Sequence, residues 1–133
     1  MFSVTKRLDF CYGHRLLDHA GKCRNLHGHN GTAEISLESG RLGPGEMVTD
    51  FERIKSSVRE WIERELDHKT LLNAKDPLVA ALRAQGQEVL VLDGNPTAEA
   101  LARLIFERCR DLGLPVASVR VWETPSSNAL YRP

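Results

Sequence analysis

From Phe2 to His14 the chain alternates, with Phe2, Val4, Leu8, Phe10, Tyr12 and His14 on one parity and Lys6 as the only break. A period of two over so many residues is the signature of a half-buried β-strand, so a sheet with one covered face is the first requirement on the fold. A second alternating segment runs from about His27 to Glu38. There Ala33, Ile35 and Leu37 share one face, and Asn30, Thr32, Glu34, Ser36 and Glu38 the other. His27 and His29 belong to the apolar face, as His14 does at the end of the first strand.

Helical signals follow. Thr49 or Asp50 caps a helix with the stripe Phe51, Ile54, Val58, Trp61 or Ile62, and Leu66, which ends near "LDHKT". A short helix is expected after Asp76-Pro77, ending at Gly86, and "EVLVLD" reads as a third strand covered on both faces. "NPTAEALARLIFERCRDLG" is a second long helix, with Pro96 in its first turn, Leu101, Ile105 and Cys109 or Leu112 as its stripe, and Gly113 as its stop. "VASVRVWE" is the last strand, with "TPSSN" after it as loop. The class predicted is α+β: one domain over residues 1–133, an antiparallel four-stranded sheet with two long helices on one face.

Composition narrows the function classes. Eighteen basic and 18 acidic side chains cancel, which argues against nucleic acid and membrane surfaces as partners. No apolar run approaches the roughly 18 residues of a membrane span, and "MFSVTKRLDF" lacks the apolar core of a signal peptide, so a cytoplasmic protein is expected. Three cysteines without a CxxC spacing are read as thiols.

The chemistry concentrates in "KCRNLHGHN", Lys22 to Asn30. His27 and His29 at i and i+2 on a strand project two imidazoles to the same side, and His14 on a neighbouring segment can add a third nitrogen. Three histidines without a fourth protein ligand describe a zinc site with an open position, the catalytic kind. Cys23 either closes that site as a fourth ligand or stands beside it. Its place in a polar loop between Lys22 and Arg24 suits a proton-transferring thiol better than a core residue. Asp67-His68 is either a solvated helix end or a carboxylate-polarised proton relay. Glu123 continues an apolar stripe and is read as a buried anchor for a ligand offering several N–H donors. Cys109 is core, and Cys11, on the other face from His14, receives no role.

In their order, the histidine ending the first strand, "CRNLHGHN", "MVTDFERIK", "LDHKTL", "NPTAE" and "WETPSSNALY" resemble the 6-pyruvoyl-tetrahydropterin synthase family, with its bacterial 6-carboxytetrahydropterin synthase branch. The likeness spans nearly the whole chain. It implies a tunnelling fold (T-fold) whose trimers close a β-barrel and pair into hexamers, with zinc on His14, His27 and His29. It also implies Cys23, Asp67 and His68 as proton-transferring residues, Glu123 as the pterin anchor and Thr97 as a second pterin contact. The activity implied is a zinc-dependent lyase on 7,8-dihydroneopterin triphosphate. Its products would be 6-carboxytetrahydropterin, acetaldehyde and triphosphate, on the route to 7-deazaguanine (queuosine) tRNA modification. Two alternatives are an enzyme stopping at the pyruvoyl product and a non-catalytic, zinc-stabilised binding module for a pterin or purine. One departure stands out: "FCYGH" puts Cys11 and Tyr12 where the family often has small residues, which bears on pocket shape and so on substrate choice.

Overall fold

The computed structural model describes residues 1–133. Its strands are β1 (Phe2–His14), β2 (His27–Ser39), β3 (Lys69–Asn73), β4 (Val89–Leu92), β5 (Val116–Thr124) and β6 (Ser127–Tyr131). Helix α1 (Phe51–Ile54) continues through a π-turn, Lys55–Arg59, into α2 (Glu60–Glu65); α3 is Leu78–Ala84 and α4 Ala98–Asp111. No helix is long and apolar enough to cross a membrane.

The α+β class holds, but the sheet has six strands rather than four, in the order β4-β3-β1-β2-β5-β6. It is also mixed. β1, β2, β5 and β6 pair antiparallel, whereas β3 runs parallel to both β1 and β4. Two short strands account for the difference. β3 starts inside the polar "LDHKT", and β6 lies in "SSNALY", joined to β5 by a turn through Pro125 and Ser126. Each is five residues long, too short to display its alternation against polar neighbours. β4 is the sheet edge, and its four residues are only half-buried, so it is not covered on both faces.

The long helix forms where its stripe requires. The Asp50 carboxylate caps it by accepting from the Glu52 N–H at 2.9 Å. The ladder widens at the π-turn, where Ser56 and Ser57 hydroxyls both bond back to the Arg53 carbonyl. Ile54, Val58, Trp61, Ile62 and Leu66 then pack on one side of the core, and Leu101, Ile105 and Cys109 of α4 on another. Both meet the sheet face of Leu8, Phe10, Ala33, Ile35, Leu37, Val119 and Val121. Fully burying each large aliphatic side chain contributes about 1.5–3 kcal/mol, so this one face fixes the register of β1 and β2. That register sets His14 opposite His27 and Tyr12 opposite His29.

Helix α4 begins one step later than its sequence suggests. Thr97 is the cap, its Oγ1 accepting from the Ala100 N–H at 3.1 Å, so Pro96 lies outside the helix instead of in its first turn. The Pro96 carbonyl is thereby free to serve the site. Gly113, at φ 75°, ends the helix in the left-handed conformation.

Candidate active site

Three imidazoles meet where β1 ends and β2 begins. His14 Nε2 stands 3.0 Å from His27 Nε2 and 3.2 Å from His29 Nε2. His14 donates Nδ1–H to the Pro96 carbonyl and His27 donates Nδ1–H to the Asn25 carbonyl, each at 2.7 Å. A carbonyl only accepts, so both rings carry their proton on Nδ1 and turn bare Nε2 lone pairs toward each other. Such a pair repels unless a cation lies between. The separations approach the roughly 3.3 Å expected between nitrogens about 2.0–2.1 Å from one tetrahedral zinc. Burial pushes the His14 imidazole below its usual pKa, partly opposed by its bond to Pro96, and so keeps it in the neutral form that a metal requires. The residues present therefore fit a metal ion, with carbonyls orienting two of the three ligands.

Two asparagines and a backbone loop hold this arrangement. Asn95 accepts from the Leu17 N–H at 2.9 Å, donates to the Leu17 carbonyl at 3.0 Å and accepts from the Asn73 amide at 3.1 Å. It thus latches the segment after His14 to the segment carrying Pro96. Cys23 sits in a helical turn, Lys22–Arg24, whose Cys23 carbonyl accepts from the Leu16 N–H at 2.9 Å.

The cavity of about 420 Å³ beside the imidazoles is lined by His14, His27 and His29 together with Cys23, Thr97 and Glu123. Cys23 is not among the clustered donor atoms, so the geometry places it beside the three nitrogens and not with them. The β5–β6 register shifts between Trp122 and Thr124, which makes Glu123 the bulged residue and frees its side chain to turn into the cavity. Its oxygens lie 4.0 Å from His14 Nε2 and 3.9 Å from His29 Nε2, beyond hydrogen-bond range. It is half-buried, less than the buried anchor expected. Thr97 lines the wall, and its hydroxyl serves as the cap of α4. Glu99 and Asn128 line the same wall. Glu99 stands within "NPTAE" and was open to notice, whereas Asn128 lies in the unforeseen β6.

Asp67 and His68 are elsewhere. They form the turn before β3, border a different cavity of about 510 Å³ by way of His68, and share with the first cavity only His27 and His29 in its lining. His68 Nδ1 bonds the Asp67 carboxylate at 2.7 Å. Burial raises the Asp67 carboxyl, but hydrogen bonds from the Cys11 N–H and His68 outweigh it and hold the acid below its ordinary range. Cys11, assigned no role by its sequence, touches this pair.

Residues 3–133 match the family model described as 6-pyruvoyl tetrahydropterin synthase. The chain belongs to that family. A 6-carboxy-5,6,7,8-tetrahydropterin synthase of Haemophilus influenzae is 34% identical over 99% of both chains. A probable enzyme of the same name from Halobacterium salinarum is 40% identical, covering 88% of this chain and 77% of its own. Among solved structures, an uncharacterised Wolinella succinogenes protein superposes with a TM-score of 0.81 at 29% identity, over 98% of this chain and 97% of that one. The Caenorhabditis elegans 6-pyruvoyl tetrahydropterin synthase does so at 0.74, over 99% and 95%, and at 23% identity shares the fold. The T-fold expectation is thus met, and as a pterin-synthase family member the chain is an enzyme, a lyase.

Within this family the bulk of Tyr12 is accommodated locally. A Cβ on Gly31 would come within 2.9 Å of the Tyr12 ring, so the glycine is what admits the aromatic. The phenol stacks on Phe10 and stands edge-on to His14, with its hydroxyl buried and without a hydrogen-bond partner. Burial, with the Glu123 carboxylate adding, pushes its ionisation above the ordinary range.

Proposed function

We propose that the chain converts 7,8-dihydroneopterin triphosphate and water to 6-carboxy-5,6,7,8-tetrahydropterin, acetaldehyde and triphosphate. The observation that carries this reading is the convergence of three imidazole Nε2 atoms beside Glu123, in a cavity that also holds Cys23. The names of the relatives support the choice of product.

In this reading His14, His27 and His29 hold a zinc ion, which when bound supplies a Lewis acid for the oxygens of the substrate side chain. The Glu123 carboxylate receives adjacent N–H donors of the pterin and so sets the ring's orientation. Thr97 is proposed as a second contact on the ring. Cys23 moves a proton between ring and side chain from its place beside the imidazoles. The Asp67-His68 pair completes the proton transfers, with the carboxylate orienting the imidazole.

Because Cys23 and His68 open on different cavities of one chain, this division of labour requires a neighbouring copy to bring its His68 to the cavity of Cys23. That requirement supports association of copies of this chain, for which the proposed assembly is a homohexamer, a dimer of trimers. We further place the product on the route to 7-deazaguanine tRNA modification and the protein in the cytoplasm.

Incubation of the zinc-loaded protein with dihydroneopterin triphosphate, with products resolved by mass and acetaldehyde assayed separately, tests the reading. The carboxylated pterin with an equivalent of acetaldehyde is expected. A pyruvoyl product without acetaldehyde assigns the shorter reaction, and tight pterin binding without turnover assigns a binding module.

A further inference from the structure

All the polar groups of Cys11 face the Asp67-His68 turn. Its N–H donates to Asp67 Oδ1 at 2.9 Å, its carbonyl accepts from the His68 N–H at 2.7 Å, and its Sγ stands 3.5 Å from His68 Nδ1. The sulfur, an Asp67 carboxylate oxygen and a His68 ring nitrogen all lie within 4.8 Å of one another. His68 is meanwhile held at φ 59°, a left-handed conformation that strains a residue with a Cβ. Strain of this kind persists only where surrounding contacts over-determine it, and here two of those contacts are backbone groups of Cys11. The imidazole itself is 77% exposed, and its hydrogen-bonding contacts are the Asp67 carboxylate and the Cys11 sulfur. The other charged neighbour, Lys69, is engaged by Glu88 at 2.9 Å.

We infer that Cys11 is a positioning residue whose thiol, seated against the Asp67-His68 contact, confines an otherwise solvent-exposed imidazole to one orientation. This rests on the proposed role of the Asp67-His68 pair in proton transfer. An exposed histidine held by one carboxylate alone samples several rotamers, and a second contact at Nδ1 removes most of them. The Asp67 carboxylate, accepting from Nδ1–H, keeps the proton on Nδ1 and leaves Nε2 as the nitrogen free for exchange, while the sulfur can only accept a further share of that N–H. The position in the chain is apt: Cys11 and His14 are three residues apart on opposite faces of β1. One strand therefore sets both the first imidazole of the triad and the orientation of His68.

The test compares Cys11→Val, which keeps bulk and strand propensity but cannot hydrogen-bond, with Cys11→Ser, which restores a small group able to accept from Nδ1–H. Steady-state kinetics on dihydroneopterin triphosphate should show kcat lowered about fivefold in Cys11→Val, the order for losing one ordinary hydrogen bond, with KM little changed. Cys11→Ser should recover part of the loss. Three-bond couplings that report the χ1 rotamer of His68, recorded on the zinc-loaded protein without substrate, should show one rotamer in the wild type and averaging over several in Cys11→Val. A wild-type kcat in Cys11→Val overturns the inference, as does a lowered kcat with an unchanged His68 rotamer, which marks a merely structural residue. If the wild-type protein shows no turnover of this substrate, the functional reading fails while the His68 rotamers still decide the role of Cys11.

Discussion

His14 and Pro96 are 82 positions apart, and a 2.7 Å bond from His14 Nδ1 to the Pro96 carbonyl joins them. The bond settles the tautomer of the ring and hence where its lone pair points, 3.0 Å from His27 Nε2. It exists because α4 is capped at Thr97 and leaves the preceding carbonyl outside the helix. The placement of the first imidazole is thus a consequence of where a distant helix starts.

The metal reading follows from that geometry. Purified protein is expected to carry about one zinc per chain on three nitrogens, with an exchangeable fourth position. Alanine at His14, His27 or His29 should each abolish stoichiometric zinc by elemental analysis. Full zinc in any of these variants would remove that residue from the ligand set.

What the sequence made legible is what long alternation encodes. β1 and β2 are 13 residues each, so their faces are unmistakable, and the imidazoles follow from parity. β3 and β6 were hidden because five residues beside prolines, serines and charged groups carry no period. The contact of Cys11 with His68 escaped for a different reason. It depends on β3 pairing parallel to β1, with Tyr12 opposite Lys69, a long-range register that local pattern does not encode.

Acid should unfold the protein partly through Asp76. Its side chain is fully buried and paired with Arg15, Arg15 Nε donating at 2.7 Å, and the guanidinium holds the carboxyl below its ordinary range. A carboxyl depressed on folding contributes stability that is present above its unfolded pKa, near 4, and is lost as pH falls through the folded value. Asp76→Asn should therefore cost about 3 kcal/mol in denaturant melts at neutral pH. The gap to wild type should narrow below about pH 4, and a constant gap would exclude the ion pair as its source.

Glu123→Gln keeps the shape of the proposed pterin anchor but removes one acceptor and the charge. Pterin affinity in a direct titration is expected to fall by about 1–3 kcal/mol, the order for charge-assisted hydrogen bonds. Binding equal to wild type would take Glu123 out of the site.

Cys23→Ala separates a ligand from a base. Cys23 lines the cavity without joining the cluster of nitrogens, so the variant should keep its zinc and its melting temperature. Turnover should fall about 10²- to 10⁴-fold, the range of general acid–base contributions. Loss of zinc would favour a closed structural site. Retained zinc with full turnover would leave the proton to His68.

The separation of Cys23 from His68 makes the last expectation specific. The two line different cavities of one chain, and their linings share only His27 and His29. If one copy lends its Asp67-His68 pair to the Cys23 of another, Cys23→Ala and His68→Ala proteins are each inactive alone, yet mixed assemblies contain some interfaces with both groups intact. Random mixing of equal amounts, by co-expression or by unfolding and refolding together, places an intact Cys23 against an intact His68 at about a quarter of interfaces. Turnover in the mixture should rise to about that fraction of wild type. If the mixture stays as inactive as its components while native mass spectrometry shows hybrids, both groups act within one chain, and the cavity walls must move to bring them together.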